Sequence, residues 1–278
     1  MKNKCAINKN SHWAKCLVFI SFIFSVTNAY AGQTVNEILN EYYPIYNETK
    51  QCQGIIAPSG SSSNGSAEEL EFTGYCIEID RQKVIETAKG KRLYVMVKGD
   101  ASFNRDGEAL EYTDTRFDSG LVGMFVLKPQ GSSWQVESAN PTINAGSFGF
   151  GLSKWRLQKF GPNAWGFLNK HSNVIQGYYN DYLVILIPDG GGIKESWIGM
   201  DHNNEDVGKC EEDMSECDNT RTTFTIDSHK TVNGFYPLEI TLNGLVKGKK
   251  YNNATYPINY QKDKGYTPSK DYPLHYKY

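Results

Sequence analysis

From Leu70 onward the chain is built of short runs rich in aromatic, β-branched and other apolar residues, separated by Gly, Asn, Asp and Pro. The runs cover residues 72–79, 92–97, 123–127, 134–138, 182–187, 222–226 and 238–242, and each has the composition of a strand. Between 120 and 136 two apolar runs flank a Pro-Gln-Gly-Ser turn, the pattern of a hairpin. The most apolar run, Leu183-Val-Ile-Leu-Ile187, leads into a second turn at Asp189-Gly-Gly-Gly192. Strands at such short intervals, without helical periodicity between them, argue against a parallel βαβ sheet. They predict a mainly β domain, an antiparallel sandwich or barrel-like arrangement. No repeat of fixed period favours a propeller.

One short N-terminal helix is expected. Val35, Ile38, Leu39 and Tyr42 recur at helical spacing, with Thr34 or Asn36 as the cap, and Pro44 interrupts the pattern. Residues 58–67, Pro-Ser-Gly-Ser-Ser-Ser-Asn-Gly-Ser-Ala, then read as a loop. The organisation is therefore a helix and loop over 32–69, a β-rich domain over 70–245, and an arm over 246–278 packed on that domain.

The first 31 residues read as a signal peptide. Lys2, Lys4, Lys9 and Lys15 form a basic head without acidic residues, 17–26 is an apolar and Ser run, and Ala29-Tyr30-Ala31 supplies a cleavage signal. Ten residues fall well short of the roughly 20 that cross a bilayer as a helix. No later run is long enough either, so a periplasmic or secreted location is expected, with no transmembrane segment after cleavage.

Loss of the four Lys takes the formal net charge from −2 to −6, which disfavours nucleic acid and anionic lipid as partners. Cys5 and Cys16 leave with the leader. The remaining Cys52, Cys76, Cys210 and Cys217 are expected as two disulfides between near neighbours, Cys52 with Cys76 and Cys210 with Cys217. A zinc site is disfavoured, because there is no close Cys pair and only His202 lies near one of them.

Three segments carry candidate chemistry. The acidic stretch 201–218 holds eight carboxylates, and Asp201, Asn203, Glu205, Asp206 and Glu212 are the candidate oxygen ligands for Ca²⁺. Asp206 stands where an EF-hand loop needs Gly, and a solvated, disulfide-pinned surface loop is the competing reading. The Gly- and aromatic-rich centre matches neither a dinucleotide fingerprint nor a phosphate loop at Gly146-Ser-Phe-Gly-Phe-Gly151, and Ser147 is not in a nucleophile elbow. Trp155, Trp165, Tyr178, Tyr179 and Tyr182 are its candidate binding residues, by stacking on sugar or forming a protein-binding face, with packing into the core as the alternative. In the third segment, 246–278, Lys and Tyr alternate, a pattern suited to an anionic glycan or acidic partner or to an arm wrapping the domain.

Histidines outside the leader are His171, His202, His229 and His275, none in a zinc pattern, and His171 reads as a turn residue. No catalytic residue is assigned, and a binding role is favoured over an enzymatic one.

The hairpin of 120–136 is followed by Ala139-Asn-Pro-Thr-Ile-Asn-Ala-Gly-Ser-Phe-Gly149, then Phe160-Gly-Pro-Asn-Ala-Trp-Gly166 and Gln176-Gly-Tyr178. Over most of the mature chain this resembles uncharacterised exported proteins of proteobacteria. The resemblance implies export and no assigned activity. The expectation is an exported protein-binding module of the cell envelope, for instance an inhibitor or immunity-type protein, whose partner is an envelope protein or glycan. The alternatives are a cell-wall hydrolase or glycan-binding protein, and a structural envelope component. No cofactor other than Ca²⁺ is implied.

Overall fold

In a computed structural model the described residues are 32–59, 72–111 and 119–275. Residues 1–31, the expected signal peptide, and most of the loop of 58–67 lie outside them. Helix α1 (Val35–Tyr42) begins where expected: the Thr34 hydroxyl accepts from the Glu37 N–H, and Glu37 returns a bond to the Thr34 N–H, a capping box. It stops at Tyr43, because Pro44 pushes the preceding residue out of helical geometry.

Strands β1 (Ile45–Asn47), β2 (Cys52–Pro58), β3 (Phe72–Thr87), β4 (Gly90–Phe103), β5 (Leu121–Gln130) and β6 (Ser133–Asn144) form one antiparallel sheet in sequence order. After a small hairpin, β7 (Gly146–Ser147) and β8 (Phe150–Gly151), a second meander begins. It runs through β9 (Arg156–Lys159), β10 (Trp165–Ile175), β11 (Tyr178–Asp189), β12 (Gly192–Asn203), β13 (Asn219–Ile226), β14 (Leu238–Val246) and β15 (Lys249–Ile258). A helical turn, α2 (Lys209–Glu212), lies in the acidic loop, and a last hairpin pairs β16 (Tyr260–Gln261) with β17 (Gly265–Tyr266). The architecture is a mainly β sandwich of open sheets, with no closed barrel among the described residues.

Both central strands are buried on two faces. Val122, Met124 and Val126 of the first sheet pack against Phe167, Val184 and Leu186 of the second, around Trp155. On the far side of the first sheet, Ile38, Leu39 and Tyr43 cover Val95, Phe125 and Leu127. On the far side of the second, the C-terminal segment lays Tyr260, Tyr266, Tyr272 and Leu274 over Leu183, Ile185 and Ile198. Four layers thus explain why 183–187 is an unbroken apolar run, since alternation is lost when neither face meets water. Edge strand β15 carries Lys249, Lys250 and Pro257, residues that discourage further strand addition.

The second sheet is nearly split. β12 and β13 share one register pair, Asn203 with Asn219. Side chains bridge the seam: Asp201 Oδ1 accepts from the Thr222 N–H and hydroxyl, and the Thr220 hydroxyl accepts from the His202 N–H. The C-terminal segment is fixed to the β12 side of the seam, with the Tyr272 hydroxyl on the Gly199 carbonyl and the Tyr266 N–H on Ser196 Oγ. A Cβ on Gly199 would stand 2.4 Å from the Leu274 carbonyl oxygen, so glycine is required by that approach.

Both disulfides form, Cys52–Cys76 between β2 and β3 and Cys210–Cys217 across the acidic loop. Disulfides persist in oxidising compartments. Among the described residues no helix is long and apolar enough to cross a membrane.

Candidate functional site

Three places concentrate functional chemistry: the β7–β8 hairpin, a cleft at one edge of the sandwich, and the polar end of the second sheet. In the hairpin, Ser147 pairs with Phe150, leaving Phe148 and Gly149 as the two turn residues at φ 55° and 75°. Two positive φ values are what a type I′ turn needs, and Asn-Gly is its preferred sequence. The hairpin is held rigidly, because the Ala101 N–H donates to the Gly149 carbonyl and the Gly151 N–H to Asp100. Phe148 and Phe150 are nevertheless about half exposed, at 53% and 52%. Among the described residues eight non-glycine positions have positive φ, and Phe148 is the one apolar side chain in that set.

The cleft has a volume of about 370 Å³ and opens between the sheets, beside the β3–β4 and β11–β12 turns. Its floor is a fork: Arg92 Nε and Nη2 donate to the two oxygens of Glu137 at 2.5 and 2.9 Å. Arg92 Nη1 donates to the carbonyls of Lys89 and Lys91. The fork spans β5, because Arg92 is on β4 and Glu137 on β6. The Arg92 bond, above all, holds the Glu137 carboxyl below its usual range, with Lys89 and Lys128 adding to the effect. Trp165, Tyr94 and Phe235 form its aromatic walls. Burial pushes the Tyr94 phenol up to about 12, so it stays protonated.

At the end of the second sheet, His171 lies in strand β10 and not in a turn. It is 2% exposed, with its ring 5.6 Å from Trp197 and 6.3 Å from Tyr182. Burial depresses its pKa to about 4 against the opposing pull of Asp181. Asp181 is buried opposite the strand bulge, and its Oδ1 meets no donor among the described residues. The Tyr179 phenol is pushed up to about 12, first by burial and then by its bond to Asp181. His202 Nδ1 lies 2.5 Å from Asn180 Oδ1, and Nε2 lies 3.4 Å from Asp218. Burial lowers the His202 pKa, and Asp218 opposes this.

The candidate aromatic residues separate into different environments. Trp155 is fully buried in the inter-sheet core, with its indole N–H on the Leu152 carbonyl. Tyr182 is 4% exposed, so neither ring can anchor a partner in the folded protein. Trp165 lines the cleft, Tyr178 stacks on His202, and Tyr179 joins Asp181.

The calcium candidates do not converge. Asp201 is engaged with Thr222, Asn203 Oδ1 accepts from the Glu205 N–H, and Glu205, Asp206 and Glu212 are exposed. Among the described residues no three His, Cys, Asp or Glu side chains are placed to hold a metal ion.

Arg92, Glu137 and Phe148 are not among the residues that composition and spacing single out. The first two are ordinary charges in strands until β5 is placed between them. Phe148 had one local signal, the Gly that follows it at the centre of a tight turn. Scans of family models, curated proteins and solved structures return no match to this chain, so the sites are read from their geometry alone.

Proposed function

We propose that the mature chain is an exported protein-binding module of the cell envelope, of the inhibitor or immunity type, working in the periplasm or outside the cell. The observation that carries this reading is Phe148, an exposed aromatic held at φ 55° on a rigid two-residue turn. A bulky residue in that conformation costs on the order of 1–3 kcal/mol, where Asn or Gly costs little. Such strain is concentrated where a side chain is held out for a purpose. Exposed aromatic side chains on a preorganised backbone are the usual anchors of protein interfaces. The two disulfides fit an oxidising compartment.

The test exploits the opposition between stability and binding. Phe148→Asn should raise the stability of the purified protein by about 1 kcal/mol and weaken partner binding by at least roughly tenfold. Partners captured from the native envelope fraction by wild-type protein are identified, purified and titrated against both forms. A partner that binds both with equal affinity refutes the reading, as does a variant that is less stable than wild type.

A further inference from the structure

We propose that the cleft between the sheets binds an acidic sugar, a hydroxylated ring carrying a carboxylate, as a free saccharide or as the end of a glycan. This site is distinct from the β7–β8 hairpin and does not rest on the protein-binding reading. Its size, about 370 Å³, lies within the roughly 300–1,000 Å³ of small-ligand sites, at the small end.

Charge selects the class of ligand. Arg92 and Glu137 neutralise one another in their fork, while Lys89 lines the cleft beside them. Of the charged residues that line the cleft, Lys89, Arg92 and Glu137, only Lys89 is left outside the fork, so the lining is positive by one charge in a mature chain expected to be acidic overall. A low-dielectric wall strengthens that field for an anion entering the cleft.

Unspent donors place the ligand. The guanidinium has five N–H groups, of which four are used: one on Nε, two on Nη1 and one on Nη2. One Nη2 hydrogen is left at the cleft, suited to a carboxylate or hydroxyl oxygen. The Trp165 indole N–H likewise donates to no described residue, although Trp165 lines the same cleft. The indoles of buried Trp155 and half-buried Trp197, by contrast, both have acceptors. Two donors beside aromatic walls suit a ring with an apolar face and polar edges better than a wholly apolar ligand. The Asn163 amide at the rim adds both a donor and an acceptor for hydroxyls.

The experiment is calorimetric titration of the purified mature chain, disulfides intact, with glucuronic acid and N-acetylmuramic acid. Glucose and N-acetylglucosamine serve as the neutral counterparts. The acidic sugars should bind at least about tenfold more tightly than the neutral ones, with an affinity that falls as salt is added. Lys89→Gln, a change at an exposed side chain, should weaken the acidic sugars and leave the neutral ones unaltered. Trp165→Ala should remove binding of all of them, with its fold checked by thermal unfolding. No heat from either acidic sugar up to about 10 mM overturns the proposal. So does equal affinity for acidic and neutral sugars, or an unaltered affinity in Lys89→Gln. These titrations require no protein partner, so they stand or fall separately from the Phe148 experiment.

Discussion

Buried His171 should make the protein acid-sensitive in a window that a single substitution removes. In the unfolded chain its imidazole protonates near pH 6.5, and in the folded protein only near 4, because burial disfavours the charged ring. Between those values the unfolded state carries the extra proton, so stability falls as pH falls. The contribution is fully present above about pH 6.5 and is lost by about pH 4. A depression of that size corresponds to about 3 kcal/mol, and at 2% exposure solvent screening does not erode it much. His171→Phe keeps a ring against Trp197 and Tyr182 and removes the titration. His202 acts in the same direction, as do the carboxylates of Glu137 and Asp271 at lower pH, whereas Glu195, raised by burial, acts in the opposite one. Comparing variant with wild type isolates His171 from all of them. Urea unfolding at about pH 7.5 and about pH 4.5 should show wild type losing about 2.5 kcal/mol more than the variant. Parallel losses would mean that the ring is accessible to protons in the folded protein, and the burial argument would be wrong.

Three further outcomes follow from packing and cross-links. Replacing both Cys52 and Cys76 by Ser should cost about 3.5 kcal/mol, and both Cys210 and Cys217 about 2.5 kcal/mol, because their loops span 24 and 7 positions; thermal unfolding should rank them in that order. Gly123→Ala should destabilise by about 1–3 kcal/mol, since its Cβ would stand 2.2 Å from the Tyr43 hydroxyl and 2.9 Å from Val97. Tyr43→Phe should cost about 1 kcal/mol through its lost bond to the Pro141 carbonyl, and Gly123→Ala should cost less in that background, a coupling that a double-mutant cycle in urea measures.

What the sequence determined is what neighbouring residues decide among themselves. Thr34 and Pro44 bracket α1 because a cap and a φ restriction act within a turn of chain. Gly131 and Gly190 mark hairpins for the same reason, and the nearest cysteines pair because short loops close at least entropic cost. Composition identified the apolar strands and hence a mainly β domain, sandwich or barrel-like, and the open sheets of the structure decide for the sandwich. It did not reveal β10, whose outer half, Lys170-His-Ser-Asn173, looks like a loop. That segment is a strand because β11 supplies its hydrogen bonds across the register from His171–Tyr182 to Asn173–Asn180.

Only the tertiary structure decided which rings face water and which charges meet. Tyr266 is buried by reaching Phe160, 106 positions away, and Arg92 and Glu137 meet across 45 positions, over a strand that belongs to neither. Trp155 and Phe148 lie seven positions apart in one Gly-rich segment, yet one is sealed in the core and the other projects from a turn. Periodicity and turn chemistry are local and can be read along the chain. Burial depends on what another layer places opposite a residue, and in this four-layer sandwich the covering layers come from the two ends of the described chain, α1 and the segment after β15.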